Sequence, residues 1–314
     1  MTEPTYSVVV PVYRNAESLP MVVERLEALQ SRLESPLEMV FVVDGSPDDS
    51  AAVLRRLLPA SSLPSQLLLH SRNFGSFAAI RAGMVAARGR YVAAMAADLQ
   101  EPPELIEDFF AALESGDWDV AVGVRTKRED PWTSRTNARL FWGLYRRLVQ
   151  HDMPQGGVDI FACTSAVAQQ LGEFGEANTS LVGQLFWLGF RRIEIPYRRA
   201  ERQHGTSAWS FRKKTAYLLD SIFSFTGLPV DVILALGVLG TVGAFAAAIV
   251  VAVAWFAGAI DVPGYTAEML VLLCATGSIL FALGIVGTYV WRAFENTKRR
   301  PTSVVMSRET FGDR

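Results

Sequence analysis

Two stretches of this chain carry no charged residue, Val232 to Phe256 and Met269 to Trp291. Each exceeds the ~18–20 apolar residues that cross a bilayer core of about 30 Å as a helix. The alternative is a buried helical hairpin inside a soluble protein. In a chain of 314 residues two such runs exceed what a small core could cover. The flanking charges set an orientation. Arg198, Arg199, Arg202, Arg212, Lys213 and Lys214 precede the first run, and Arg292, Lys298, Arg299, Arg300 and Arg308 follow the second. The connector between them, roughly 257–268, holds Asp261 and Glu268 and no Lys or Arg. Positive charge on one side only predicts a multi-pass protein of the cell membrane with both termini cytoplasmic. The opening MTEPTYSVVVPVY lacks the basic segment and apolar stretch of a signal peptide.

These features predict a cytoplasmic domain over 1–205 and a juxtamembrane segment over 206–227. Two membrane helices follow at about 230–257 and 268–291 (within 228–292), then a cytoplasmic tail over 293–314. Phe211, Leu218, Ile222 and Phe225 recur at helical spacing beside Arg212, Lys213 and Lys214. That pattern suits an amphipathic helix in the headgroup plane or one packed on the soluble domain. Small residues in the spans, among them Gly237, Gly240, Gly284 and Gly287, permit close packing within the hairpin or in a homo-oligomer.

The first 125 residues alternate strand and helix. Strands are expected at Ser7–Val12, Met39–Val43, Gln66–His70, Tyr91–Ala96 and Val120–Val124. Helices are expected at Glu17–Leu33, Asp49–Leu58, Phe74–Ala87 and Pro103–Ser115. Continuously apolar strands separated by helices imply an α/β fold, a mostly parallel sheet covered on both faces. Such sheets bind ligands beyond the carboxyl ends of their strands. There the sequence sets Pro11-Val12-Tyr13-Arg14-Asn15, Asp44-Gly45-Ser46-Pro47-Asp48-Asp49, Ser71-Arg72-Asn73-Phe74-Gly75, Asp98-Leu99-Gln100-Glu101 and Arg125. Carboxylates can hold a divalent cation and arginines can hold phosphates, a pairing that suits a nucleoside diphosphate with its metal. Asp44 and Asp98 could instead simply cap the helices that follow. The chain has no GxxxxGK[ST] and no GxGxxG phosphate loop. With 30 basic and 32 acidic residues, net charge −2, it has no electrostatic footprint for nucleic acid. Two cysteines and three scattered histidines exclude a disulfide scaffold and a zinc cluster.

The ordered series SVVVPVYRNAESLP (7–20), VVDGSPDDS (42–50), SRNFGSFAAIRAGMVAARG (71–89), DLQEPPELI (98–106), GVDIFA (157–162), ERQHGTSAWSFRKK (201–214) and GTYVWRAFENTKRRP (287–301) resembles glycosyltransferase family 2. The nearest branch is the one that makes polyprenyl-phosphate sugars, as dolichol-phosphate mannose synthase and the undecaprenyl-phosphate transferases do. The resemblance implies a GT-A nucleotide-sugar fold, a UDP- or GDP-linked donor, a polyprenyl phosphate acceptor, Mg²⁺ or Mn²⁺, and inversion at the sugar. It implies donor contacts at Pro11, Tyr13, Asp44, Arg72, Gly75, Asp98 and Arg125, and metal ligation by Asp98 and Gln100. It further implies catalysis at Asp159 and phosphate or acceptor contacts at Arg135, Arg202 and Ser207. The chain departs from the family pattern at Val43 and Ala96, where acids are usual, at Arg14 for an asparagine, and at Ser165 for an arginine. Two other readings follow from these features: a nucleotide-binding scaffold without activity, and a processive polysaccharide synthase. The second is opposed by Gln184-Leu185-Phe186-Trp187, which lacks the Gln-x-x-Arg-Trp motif.

Overall fold

The computed structural model describes residues 4–125, 143, 146–147, 151–154, 158, 160–176, 179–198, 219–257 and 265–312. Along the chain run β1 (Tyr6–Val12), α1 (Leu19–Gln30), β2 (Leu37–Val43), α2 (Ser50–Leu57), β3 (Ser65–His70), α3 (Ser76–Ala86), β4 (Tyr91–Ala94), α4 (Pro103–Glu114) and β5 (Val120–Arg125). Then come β6 (Phe161–Thr164), α5 (Ser165–Glu173), α6 (Leu181–Trp187) and β7 (Arg192–Tyr197). A short helix α7 (Leu219–Phe225) precedes two long ones, α8 (Leu228–Phe256) and α9 (Tyr265–Thr297), and the last element is β8 (Val305–Phe311).

The eight strands form one sheet in the order β7-β5-β6-β4-β1-β2-β3-β8. β3, β2, β1 and β4 are mutually parallel. β6 runs against both of its neighbours, β7 is parallel to β5, and β8 is antiparallel to β3. Side chains alternate across a strand, so each central strand feeds two cores. Val8, Val10, Phe41 and Leu67 face one core with α1, α2 and α4; Val9, Val40, Val42 and Leu68 face the other with α3, α5 and α6. Burial on both faces explains why these strands read as unbroken apolar runs.

The two long apolar stretches are helices, and large apolar side chains among their described residues stand bare: Leu239 is 68% and Val271 69% exposed. Among the described residues Ala275–Thr297 is long and apolar enough to cross a membrane. Leu219–Phe225 and Leu228–Gly240 meet that test only as a pair bent by 81°. Residues 206–218 of the expected juxtamembrane segment lie outside the described residues. Its end, α7, packs on the soluble domain, where a Cβ on Gly183 would sit 2.5 Å from the Phe225 ring. α7 also holds α9, through Asp220 to Arg292 Nη2 at 2.6 Å and a Phe223–Tyr289 ring contact.

β8 falls in the segment expected as a tail. It adds to the open edge of β3, from Ser65 opposite Phe311 to His70 opposite Val305. Beyond the strand, Ser71 N–H donates to Val304 O at 3.0 Å. Because β8 runs antiparallel, the chain leaving α9 joins the sheet at the carboxyl end of β3.

Candidate active site

β1, β2 and β3 end level with one another, Val12 opposite Val43 and Val43 opposite Leu69. Their loops are stapled by short polar side chains. Asp44 is 2% exposed. Its Oδ1 accepts from Phe74 N–H and its Oδ2 from Gly75 N–H, at 2.8 and 2.7 Å. His70 Nδ1 lies 2.8 Å from the same Oδ1. An ionised carboxylate only accepts, so Nδ1 carries the proton. The acid after β2 therefore fixes the loop after β3, and it does not cap α2. Gly45, at φ +58°, has its backbone against that loop: a Cβ there would lie 2.3 Å from Arg72 C and 2.4 Å from Asn73 N.

The loop after β1 is held in the same way. Arg14 N–H donates to Ser46 Oγ at 2.8 Å, and Ala16 N–H to Asp48 Oδ2 at 3.1 Å. Ser46 and Ser50 hydroxyls donate to Asp48 Oδ1 at 2.6 and 2.7 Å. Burial opposes the Asp48 charge, but these hydrogen bonds outweigh it and hold its carboxyl below the usual range. Arg14 adopts a left-handed φ of 57°, with its guanidinium 5.5 Å from the Tyr13 ring. Tyr13 is 42% exposed, and the Arg72 guanidinium lies 4.0 Å over the Phe74 ring. The two loops thus present aromatic rings and guanidinium groups suited to a base and phosphates.

After β4 the chain turns tightly. Leu99 has φ 60°, an unusual conformation for a branched side chain that persists only where neighbours enforce it. Ser18 Oγ donates to Ala97 O at 2.7 Å, and Arg25 Nη1 to Leu99 O at 3.2 Å. The turn leaves Asp98 half-buried, with Gln100 N–H donating to its Oδ1 at 3.3 Å. Among the described residues no three His, Cys, Asp or Glu side chains group as a metal site. One carboxylate and one carboxamide suit a hard cation that takes its remaining ligands from phosphates and water. Arg125 ends β5 opposite Tyr197.

The structure thus brings Pro11, Tyr13, Asp44, Arg72, Gly75, Asp98, Gln100 and Arg125 to one edge of the sheet. Asp159, Arg135, Arg202 and Ser207 lie outside the described residues. Sequence reasoning missed His70, Ser46 and Asp48 as organisers of the edge. Their signal was position alone, His70 as the last residue of a strand and Ser46-x-Asp48 just beyond Asp44.

A mostly parallel α/β sheet with one antiparallel strand inserted and polar loops at its tips is the GT-A type of fold. Among solved structures, mannosyl-3-phosphoglycerate synthase from Rubrobacter xylanophilus superposes with a TM-score of 0.50 at 15% identity. The match covers 69% of this chain and 72% of that one. The pattern described as glycosyl transferase family 2 matches residues 7–170. A glycosyltransferase of Synechocystis sp. is 30% identical over 302 residues, 95% of this chain and 94% of the relative. The undecaprenyl-phosphate 4-deoxy-4-formamido-L-arabinose transferase of Edwardsiella ictaluri is 32% identical over 310 residues, 94% of this chain and 91% of the relative. The chain belongs to glycosyltransferase family 2, and it is a glycosyltransferase.

Proposed function

We propose that this enzyme transfers a sugar from a nucleoside-diphosphate sugar to the phosphate of a membrane polyprenyl lipid, inverting the anomeric carbon. Family membership and relatives named for undecaprenyl phosphate support this reading. The observation that carries it is the entry of β8 into the sheet at the strand-tip end, directly after α9. Residues 298–304 join the two elements, and so short a segment spans at most about 30 Å. An α9 set in a bilayer therefore keeps the donor edge near the lipid phosphates. A polyprenyl chain leaves the bilayer only at about 0.8 kcal/mol per exposed CH₂, so the enzyme must come to the phosphate.

In this reading 1–205 is a cytoplasmic catalytic domain, 206–227 the juxtamembrane segment and 228–292 a two-helix membrane hairpin. Both termini are cytoplasmic, and 293–314 returns to complete the sheet. The base and ribose lie against Pro11, Tyr13 and the loop Arg72–Gly75, whose shape Asp44 sets. Asp98 and Gln100 would hold Mg²⁺ or Mn²⁺; when bound, the ion neutralises charge on the leaving diphosphate. Arg125, Arg135 and Arg202 add positive charge around the phosphates. An acceptor phosphate oxygen bonds to the anomeric carbon while the bond from that carbon to the donor diphosphate breaks. The nucleoside diphosphate leaves with the electron pair. A phosphate monoester has a second pKa near 6, so at neutral pH the acceptor needs orientation more than a strong base. Asp159 supplies that orientation, with Ser207 on the acceptor side.

The test is transfer of label from UDP- and GDP-sugars to undecaprenyl phosphate in membranes holding the full chain. A lipid-extractable product is expected, and no lipid product from any donor would refute the proposal. Asp159→Asn should cut turnover by roughly 100-fold with nucleotide binding retained.

A further inference from the structure

At the cytoplasmic end of α9 the basic residues divide into two groups. Arg292 pairs with Asp220, and Lys298 pairs with Glu295 and lies against the Trp291 and Phe294 rings. Among the described residues neither Arg299 nor Arg300 has an ion-pair or hydrogen-bond partner for its guanidinium. Topology signalling requires only that charge be present; it gives no reason for these two to differ from their neighbours. Both line a cavity of about 450 Å³ together with Asn296, Thr302 and Ser303. Its far wall is the loop after α5, which belongs to the catalytic domain and includes Glu176. That acid is already engaged, its Oε2 accepting from Gln184 Nε2 at 3.3 Å. Gln184 Oε1 in turn accepts from the buried Arg81. The cavity therefore keeps two uncommitted positive charges beside an amide and two hydroxyls, the donor set that a phosphate group accepts from.

Depth indicates which phosphate. Trp291 and Phe294 are 58% and 51% exposed on the last turns of α9, where aromatic rings mark the membrane–water interface. Arg299 and Arg300 follow within two turns. Above them the bare surface of α9, including Val290 and Val286, offers a track for acyl chains. We infer that this cavity is a binding site for the phosphodiester headgroup of an anionic phospholipid, which wedges the catalytic domain against the end of α9. None of the residues lining the cavity is among those named above for the donor, the metal or the acceptor. It rests on the membrane placement of α9 in the proposed function.

The test uses the purified full chain and phosphatidylglycerol, with retained lipid read by native mass spectrometry. Arg299→Gln with Arg300→Gln should weaken phosphatidylglycerol retention by on the order of tenfold. Arg56→Gln, which removes a charge exposed on α2, should leave retention unchanged. Unaltered nucleotide-sugar thermal shifts would show that the variants are folded. Equal retention by the double variant and the parent would overturn the inference. So would arginine-dependent protection by inorganic phosphate alone at the same concentration, which would mark a soluble-phosphate site. Sugar transfer to undecaprenyl phosphate is scored separately. A lipid product with arginine-independent retention sinks only this inference; arginine-dependent retention without a lipid product sinks only the proposed reaction.

Discussion

Asp44 shows how a site residue can act by holding its neighbours. Both carboxylate oxygens are occupied by Phe74 N–H, Gly75 N–H and His70 Nδ1, so its negative charge is spent on the shape of the Arg72–Gly75 loop. Asp44→Asn would set an amide NH₂ against backbone donors, leaving at least one buried N–H without an acceptor, at about 1–3 kcal/mol. Donor KM should rise several-fold with a matching fall in thermal midpoint; a change in kcat alone would contradict this. Gly45→Ala should be harsher, since a left-handed φ and a 2.3 Å approach to Arg72 backbone leave nothing to yield. A loss of roughly 1–3 kcal/mol or more is expected in denaturant unfolding. Asp48 gives a pH signature. Its carboxyl is held low in the folded state, so its stabilisation is present above the unfolded value near 3.9. It is lost as pH falls through the folded value. The thermal midpoint of the parent should fall faster below about pH 4 than that of Asp48→Asn.

At the scale of elements, the sheet is tied at its other end by a buried acid. Glu38, fully buried in β2, accepts from Ser7 Oγ at 2.8 Å, Gln66 Nε2 at 2.6 Å and Arg88 Nε at 2.7 Å. Glu38→Ala would take an acceptor from the buried Ser7 hydroxyl and Gln66 amide, and should cost about 1–3 kcal/mol of unfolding free energy. The central strands were legible because burial on both faces demands unbroken apolar runs, as in SVVVPV and MVFVV. Boundaries slipped where special backbone intervened. The helix expected from Phe74 starts at Ser76 because Gly75 sits at φ +98°, and the strand expected to reach Ala96 stops at Ala94 ahead of the Leu99 turn. The pairing of Asp44 with His70 lies in tertiary contact and leaves no periodic trace. β8 was illegible for a related reason. VMSRETF is largely exposed at an edge, and its partner strand is distant in sequence. Ending the chain after Ser303 should lower the thermal midpoint and raise donor KM, since Ser71 loses Val304. It should also promote association through the bared β3 edge.

For the whole molecule, the arrangement predicts sidedness. A cysteine placed at Asp261 should react with an impermeant maleimide added outside intact cells, whereas one placed at Gly312 should react only after lysis. Labelling of both from outside would reject the hairpin. Burial pushes the Cys163 thiol up and out of reactivity, so that residue adds little background, and Cys274→Ser removes the other cysteine of the chain. The two uncharged runs were the most legible part of the sequence, and both fold as long helices, α8 and α9. The mechanical tie of α9 to the catalytic sheet could be seen only in three dimensions.

That tie also sets an order of events during synthesis. Arg55 and Glu309 meet across 254 residues of chain. At ~5–20 residues per second, β3 waits roughly 12–47 s before β8, which begins 235 residues after His70, is made to cover it. Both apolar helices are made in that interval. The sheet is thus finished only after both long helices have been made, and a chain interrupted before them lacks the Val304 carbonyl that Ser71 N–H binds.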